Sequence, residues 1–411
     1  MAELQGIEYL RKKLEQHRRR VLIRYKQYDM KYFDKQRGIT IPPHLRQMYK
    51  AVLGWCGKAV DSLADRLVFR EFADDNFNLM EIYQMNNPDV LFDSAILSAL
   101  ISSCSFIYIL PGDDMPRMQV IDGANATGVI DDITGLLYEG YAILDRDNKD
   151  TPTLEAYFEP KRTTYYENGK INESMTTDHK VGYPLLVPII HRPDALRPFG
   201  RSRITRSAMY HQAAAKRTLE RADITAEFYS WPQKYVVGTS RELELDTWKA
   251  TVSSMLEISK DSDGDSPSLG QFSQPSMTPF IDQLRMSAAL FAGETGLTLD
   301  DLGFVTDNPS SADAIKASHE TLRTMARKAQ RCFGSGFLNA GFLAACLRDD
   351  FQYKRSQLYK TKPKWEPVFE ADAATLSLIG DGAIKVNQAI PGYFNSDTLR
   401  DLTGIEGAAN G

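Results

Sequence analysis

RPFGRSRI (residues 197–204), AEFYSWPQKYVVG (226–238), LGQF (269–272) and AGETGLTLDDLGF (292–304) are pieces of one stretch, and their order decides the fold. From Phe199 to Gly303 the chain reads as helix, small α/β insert, helix. The first helix opens at Phe199-Gly200-Arg201-Ser202, where Ser202 has the side chain an N-cap requires. Its apolar positions are Ile204, Ala208, Ala215, Leu219, Ala222 and Ala226, in steps of three and four if His211 or Gln212 fills the gap. Most of them are alanine, and so thin a stripe suits helices that approach closely, as many copies packed side by side must. The insert predicts a strand over 233–237, a helix over 248–258, an acidic loop at Asp261–Asp265 and a strand over 269–272. The second helix begins near Thr278, with Pro279 at its first position and a stripe of Phe280, Ile281, Leu284, Ala288 and Phe291.

Working outward toward the N-terminus, residues 11–35 hold ten Lys or Arg against three acids, including Arg18-Arg19-Arg20. Such a run is a solvated helix face or a surface for an acidic neighbour or DNA. Pro42 and Pro43 open an amphipathic helix carrying Leu45, Met48, Tyr49, Val52, Cys56, Val60, Leu63 and Leu67. Leu91 to Leu110 is the most apolar stretch, but it contains Asp93 and five serines. With Phe106-Ile107-Tyr108-Ile109 at its end it reads as a buried helix running into a strand, not a membrane span. Residues 104–192 are strand-rich, with a hairpin turn at Asn168-Gly169 and another turn at Asp131–Gly135.

On the C-terminal side, residues 294–313 contain five acids and no Lys or Arg. A helix then covers 312–348, with Ala314, Ala317, Leu322, Met325, Ala329 and Phe333 near one face and a basic run of Arg323, Arg327, Lys328 and Arg331. Gly334, Gly336 and Gly341 are expected to interrupt or kink it. Residues 351–370 read as β, followed by a helix over 371–389 and the tail PGYFNSDTLRDLTGI (391–405).

Composition sets bounds. At 411 residues the chain buries a large core and forms two or three subdomains. Its 43% hydrophobic and 25% charged content are those of an ordinary soluble protein, and a net charge of −5 excludes a wholly basic nucleic-acid binder. Cys56, Cys104, Cys332 and Cys346 make no CxxC pair and read as buried reduced thiols. The polar, basic segment 1–20 is no signal peptide. Nothing in the sequence is organised for catalysis, a metal or a cofactor. The six histidines have no ligand spacing, and Gly54-Trp55-Cys56-Gly57-Lys58 lacks both the spacing and the Ser or Thr of a phosphate loop. Gly334-Ser335-Gly336 is no nucleophile elbow. The Asp261–Asp265 loop has its glycine at the wrong offset for calcium, and Phe272 stands where a bidentate Glu is needed.

In the order of these elements, and in the quoted segments together with VLGWCGKAVDSLADRLVFREF (52–72), the chain resembles portal proteins of tailed double-stranded DNA bacteriophages over roughly residues 40–400. The resemblance implies an α+β fold: a wing domain of β-strands and long helices, and two stem helices flanking a small α/β clip. It divides the chain into a basic N-terminal helix (1–40), a first wing part (41–198), stem helix 1 (199–228), the clip (229–275) and stem helix 2 (276–298). A tunnel loop (299–311), a long helix with the second wing part (312–370) and a reduced crown (371–411) complete it.

The function implied is a ring, usually of twelve copies, at one capsid vertex, through which double-stranded DNA is packaged and ejected without sequence specificity. Implied partners are the terminase motor, the head–tail adaptor, and the major capsid and scaffolding proteins, with no membrane. Implied locations are the virion and, during assembly, the host cytoplasm. Carried onto this chain, Asp300, Asp301, Thr306, Asp307, Asn308, Pro309 and Ser310 line the DNA channel. The Ile204-to-Ala226 stripe packs subunits, Trp231, Tyr235 and Trp248 dock partners from the clip, and Arg323, Arg327, Lys328 and Arg331 form an intersubunit basic face. A non-channel capsid or adaptor protein of similar α+β build is the alternative. A nucleotidyltransferase is disfavoured because no paired carboxylates sit on a strand.

Overall fold

An apolar helix that runs directly into an apolar strand forms the centre of the molecule. In the computed structural model, which describes residues 4–33, 49–230, 234–237, 268–271, 276–304, 317–369 and 373–405, helix α4 (Pro88–Ser102) ends at Ser103. Strand β2 (Cys104–Leu110) follows at once. All but the last residue of β2 is buried, because β2 is the middle strand of the antiparallel sheet β10-β2-β3 (β3 Arg117–Asp122, β10 Leu186–Ile190). Ser105 is tolerated there because its hydroxyl donates to the Ala95 carbonyl of α4 at 2.7 Å.

A second, antiparallel sheet has the order β4-β5-β6-β7-β8: Ala126–Ile130, Leu137–Arg146, Pro152–Phe158, Arg162–Glu167 and Lys170–Ile171. Strand β9 (Thr177–Asp178) also pairs with β7. The expected turns are present. Asn168 and Gly169, with φ of 48° and 78°, join β7 to β8, and the Asp131 turn ends at Gly135 with φ 73°. Strand β1 (Phe69–Ala73) pairs with β13 (Lys362–Trp365), tying distant parts of the chain together.

Helix α1 (Ile7–Tyr28) lies on the second sheet through Leu10 and Leu14, against Tyr141, Ile143 and Tyr157. Two buried carboxylates fix it. Glu139 accepts from the Gln5 and Gly6 amides at 2.9 and 3.0 Å, and Glu155 accepts from Nε and Nη2 of Arg11 at 3.0 and 2.8 Å. Lys13 donates to Gly128 O, Arg18 pairs with Asp150, and Arg24 donates to Ser102 O. Much of the basic run therefore holds α1 to its own protein.

Helix α2 is shorter than its pattern suggests. Of the helix expected from Pro42, residues 34–48 lie outside the description, Tyr49–Gly54 are not helical, and α2 spans Trp55–Ala64. The Cys56 amide is satisfied by the Gln212 side-chain carbonyl at 2.7 Å, so no preceding turn is needed to receive it. Helix α3 (Leu79–Gln84) follows β1. Helices α5 (Arg206–Ser230) and α6 (Thr278–Thr295) form a packed pair, and the strands between them, β11 (Lys234–Val237) and β12 (Ser268–Gln271), pair antiparallel.

Helix α7 (Glu320–Arg348) runs as one helix through its glycines. These are close-packing positions, not interruptions. A Cβ on Gly336 would stand 2.8 Å from Ile189 Cδ1, and one on Gly334 2.6 Å from Pro363 Cγ. That approach lets Phe337 join an aromatic core with Phe92 (4.7 Å) and Phe69 (5.7 Å), while Tyr83 donates to the Phe337 carbonyl at 2.6 Å. The β structure expected over 351–370 reduces to β13; a 3-10 turn at Arg355–Leu358 occupies part of the rest. Helices α8 (Ala373–Ala389) and α9 (Ser396–Thr403) complete the described chain, and no described helix is long and apolar enough to cross a membrane.

Candidate functional site

The α5/α6 pair begins later than the sequence suggests. Ser202 does not cap α5; its hydroxyl donates to Ile101 O at 2.6 Å and so ties the chain to the end of α4. The cap is Thr205, whose Oγ1 accepts from the amide of Ala208, the third residue of α5, at 3.1 Å. Thr205 also donates to Glu294 Oε1 at 2.8 Å, linking the first turn of α5 to the last turn of α6.

Between Ser202 and Thr205 lies the residue that sequence reading missed. Arg203 is buried, 4% exposed, and has no carboxylate partner among the described residues. Its Nε donates to Ala59 O at 3.1 Å and its Nη2 to Thr295 O at 2.5 Å, while Nη1 approaches Met325 Sδ at 3.1 Å. It thereby joins α2, the carbonyl end of α6 and α7. The carbonyl terminus of a helix carries partial negative charge, so a cation there is stabilised. Burial lowers its pKa to about 10, with help from Arg192, and the group keeps its charge at neutral pH. Nearby, Gln212 on α5 donates to Gln27 Oε1 at 2.9 Å, and Trp55 lies 5.5 Å from Phe291. A charged residue amid RSRI gave no periodicity signal; only the motif's position between two helices pointed to it.

The alanine stripe is corrected. Ile204, Ala208 and Ala215 are 1%, 1% and 0% exposed and belong to the protomer's own core with Ala288 and Phe291, so they cannot meet a neighbouring copy. Leu219 and Ala222 are half-buried, and Ala226 alone is exposed. On α6, Met286 and Leu290 are exposed one turn apart, and Ile281 is exposed nearer the insert.

Beyond α6, Gly296 adopts a left-handed conformation (φ 69°) and a 3-10 turn follows at Asp300–Leu302. This turn separates the two adjacent acids. Asp301 faces inward: its Oδ2 accepts from the Thr298 amide at 2.8 Å and from Thr298 Oγ1 at 2.9 Å. Asp300 is exposed. Thr306, Asp307, Asn308, Pro309 and Ser310 lie outside the described residues, as do Ala314, Trp231, Trp248 and the Asp261–Asp265 loop. Tyr235 sits on β11 opposite Gly270, its side chain likewise outside the description.

The basic run is brought together as read: Arg323, Arg327, Lys328 and Arg331 are all exposed on α7, and Arg323 pairs with Glu320 at 3.6 Å. The cysteines are free; Cys56, Cys104 and Cys346 are buried, and burial pushes the Cys56 and Cys104 thiols up to about 12. Cys332 departs from the expectation by being only half-buried. No cluster of three metal-ligating side chains occurs among the described residues.

A helix pair with a small stranded insert between its members, followed by a long basic-faced helix that packs on the sheet core, is the arrangement expected of a portal-type protein. The family model for phage portal proteins of the SPP1 Gp6-like type matches residues 8–382, and this chain belongs to that family of virion structural proteins. The portal protein of Mycobacterium phage L5 is 25% identical over 337 residues, covering 75% of this chain and 68% of that protein. The portal protein of Mycobacterium phage D29 is 25% identical over 385 residues, covering 85% and 78%. Among solved structures, a chain of the native gene transfer agent virion aligns with a TM-score of 0.49 at 13% identity, covering 94% of this chain and 99% of that one. A chain from the neck of the native particle, determined with C12 symmetry, gives the same values.

Proposed function

We propose that this chain assembles into a ring of about twelve copies at one vertex of a phage capsid, with α5 and α6 lining or framing an axial channel for double-stranded DNA. The family match over residues 8–382 carries this reading. Two exposed residues one turn apart on α6 support it: Met286 and Leu290 are surplus to the protomer's core and available to a neighbouring copy. The role is mechanical, not catalytic, and the energy for DNA movement comes from a terminase motor docked at the insert. The head–tail adaptor succeeds the motor there, capsid and scaffolding proteins meet the outer body, and the protein passes from the host cytoplasm into the virion.

The segment 299–311 has acids and no bases, and in this reading it borders the channel, where it repels phosphate and keeps DNA sliding. Asp307→Lys with Asn308→Lys reverses that property. Each engaged cation makes DNA affinity steeper in salt by nearly one log unit per log of salt. The double variant should form normal rings yet package DNA slowly at low salt and recover as salt rises. Packaged DNA length across a salt series measures this. Wild-type packaging at low salt by intact variant rings would remove the segment from the channel.

A further inference from the structure

A groove of about 560 Å³ lies between the β4–β5 turn, the end of β10 with the loop after it, and α7. Much of its lining is apolar: Pro188 and Ile190 come from β10, and Pro193 and Pro198 from the loop. Prolines have no amide hydrogen, so this surface offers ring faces and few donors. On α7, Ser335 and Asn339 stand one turn apart in the lining. Asn339 is already engaged: its Nδ2 donates to Thr134 O at 3.4 Å, and its Oδ1 accepts from Arg355. Ser335 is exposed, and its hydroxyl makes no hydrogen bond among the described residues.

The charge of the lining is one-sided. It holds three carboxylates, Asp131, Asp132 and Asp194, and no Lys or Arg. The three are not equivalent. Asp194 is saturated: its Oδ1 accepts from the Leu196 and Arg197 amides at 3.0 and 2.9 Å, and its Oδ2 from Nε and Nη2 of Arg201 at 3.0 and 2.6 Å. Asp131 braces the β4–β5 turn with one bond to each oxygen, from the Ile133 amide at 3.0 Å and from Thr134 Oγ1 at 2.7 Å. A carboxylate has about four acceptor positions, so about half of those on Asp131 remain open. No cation pairs with Asp131 among the described residues. Asp132 is exposed and makes no hydrogen bond or ion pair among them. Two adjacent carboxylates on one braced turn are thus uncompensated beside a proline-rich surface. The exposed cations Lys328 and Arg331 lie on α7 beyond Cys332, outside the lining.

An arginine side chain matches both features. Its planar guanidinium pairs with several carboxylate oxygens at once, and its stem packs on apolar surface while the head keeps its charge. We propose that this groove docks an arginine-bearing, apolar segment of a partner polypeptide. The guanidinium meets Asp131 and Asp132, and the neighbouring apolar side chains lie against Pro188, Ile190 and the two loop prolines. The assignment rests on the groove and its charge and is independent of ring formation or DNA passage.

Fluorescein-labelled peptides that alternate arginine with leucine are the probe, and the same peptides with glutamate in place of arginine are the control. Anisotropy titration of the full-length protein should show the arginine peptide binding about tenfold more tightly than the glutamate peptide. Asp132→Lys should weaken the arginine peptide about tenfold. Ser335→Trp, which fills the groove from α7, should weaken it by a similar factor. Both residues are exposed, so an unchanged melting curve certifies the fold. Asp113→Lys, at an exposed acid outside the groove, should leave binding unchanged, which separates the groove from the protein's overall negative charge. Equal binding of both peptides, no saturable binding, binding indifferent to Asp132→Lys and Ser335→Trp, or equal weakening by Asp113→Lys overturns the proposal. So does a lower oligomer mass of the Asp132→Lys protein in light scattering, which would make the occupant a second copy of this chain.

Discussion

The two ends of the α5/α6 pair use similar residues to opposite effect. At the base, Ala208, Ala215, Ala288 and Phe291 are sealed into the core, and Arg203 and Gln212 are buried with them. Toward the insert, Ala226 and Ile281 stand in solvent. The base is part of the protomer's own fold, whereas the far end and the outer side of α6 are surfaces in search of a partner. An alanine stripe read as one feature is therefore two, divided near Leu219, where α5 leaves the body of the molecule.

Tryptophan at each end tests that division with the largest expected effect. Ala215→Trp forces an indole into a site with no accessible surface, at a cost of about 3 kcal/mol, the upper end of the overpacking range. Soluble yield and melting temperature should collapse before assembly can be asked about. Ala226→Trp should leave protomer stability within about 0.5 kcal/mol and lower ring yield if that end meets a neighbour. A stable Ala215→Trp protein would break the comparison.

Arg203 tests what holds the base together. Arg203→Met keeps the volume but withdraws the donors from Ala59 O, which keeps its helical partner, and from Thr295 O at the end of α6, which does not. A loss of about 2 kcal/mol by denaturant titration is expected, with α2, α6 and α7 loosening together in hydrogen exchange. Loosening confined to α5 would contradict the three-way junction.

An effect spread over several pH units follows from acidification. His191 is buried beside Phe333 with its Nδ1 2.7 Å from Arg201 O, and burial holds its pKa down to about 3. The unfolded chain takes up a proton near pH 6.5, whereas folded His191 refuses it until about 3. The stability that neutral His191 contributes is therefore complete above pH 6.5 and declines as pH falls toward 3, by about 1.4 kcal/mol per pH unit. His191→Asn supplies the same donor without a titrating ring, so its stability should decline less steeply between pH 6 and 4.

The sequence was most legible where pattern and packing coincide. The helix-to-strand run at 88–110, the hairpins, and the pair α5/α6 with its stranded insert follow from periodicity and turn residues. It was least legible where tertiary partners replace local signals. Gln212 supplies Cys56 with an acceptor and so frees Tyr49–Gly54 from helix, Ser202 spends its hydroxyl on α4 instead of capping α5, and the glycines of α7 exist to let Ile189 and Pro363 approach. Arg203, Glu139 and Glu155 look like surface charges in one dimension and become structural once buried. Of the candidate site, the exposure of the basic face on α7 was anticipated, while the inward turn of Asp301 was not.

Electron microscopy of the purified full-length protein, with mass measured on the same sample, tests the central claim most directly. The account predicts closed rings of about twelve subunits with an open axial channel wide enough for duplex DNA. Monomers at every concentration, or closed assemblies without a central opening, would contradict it.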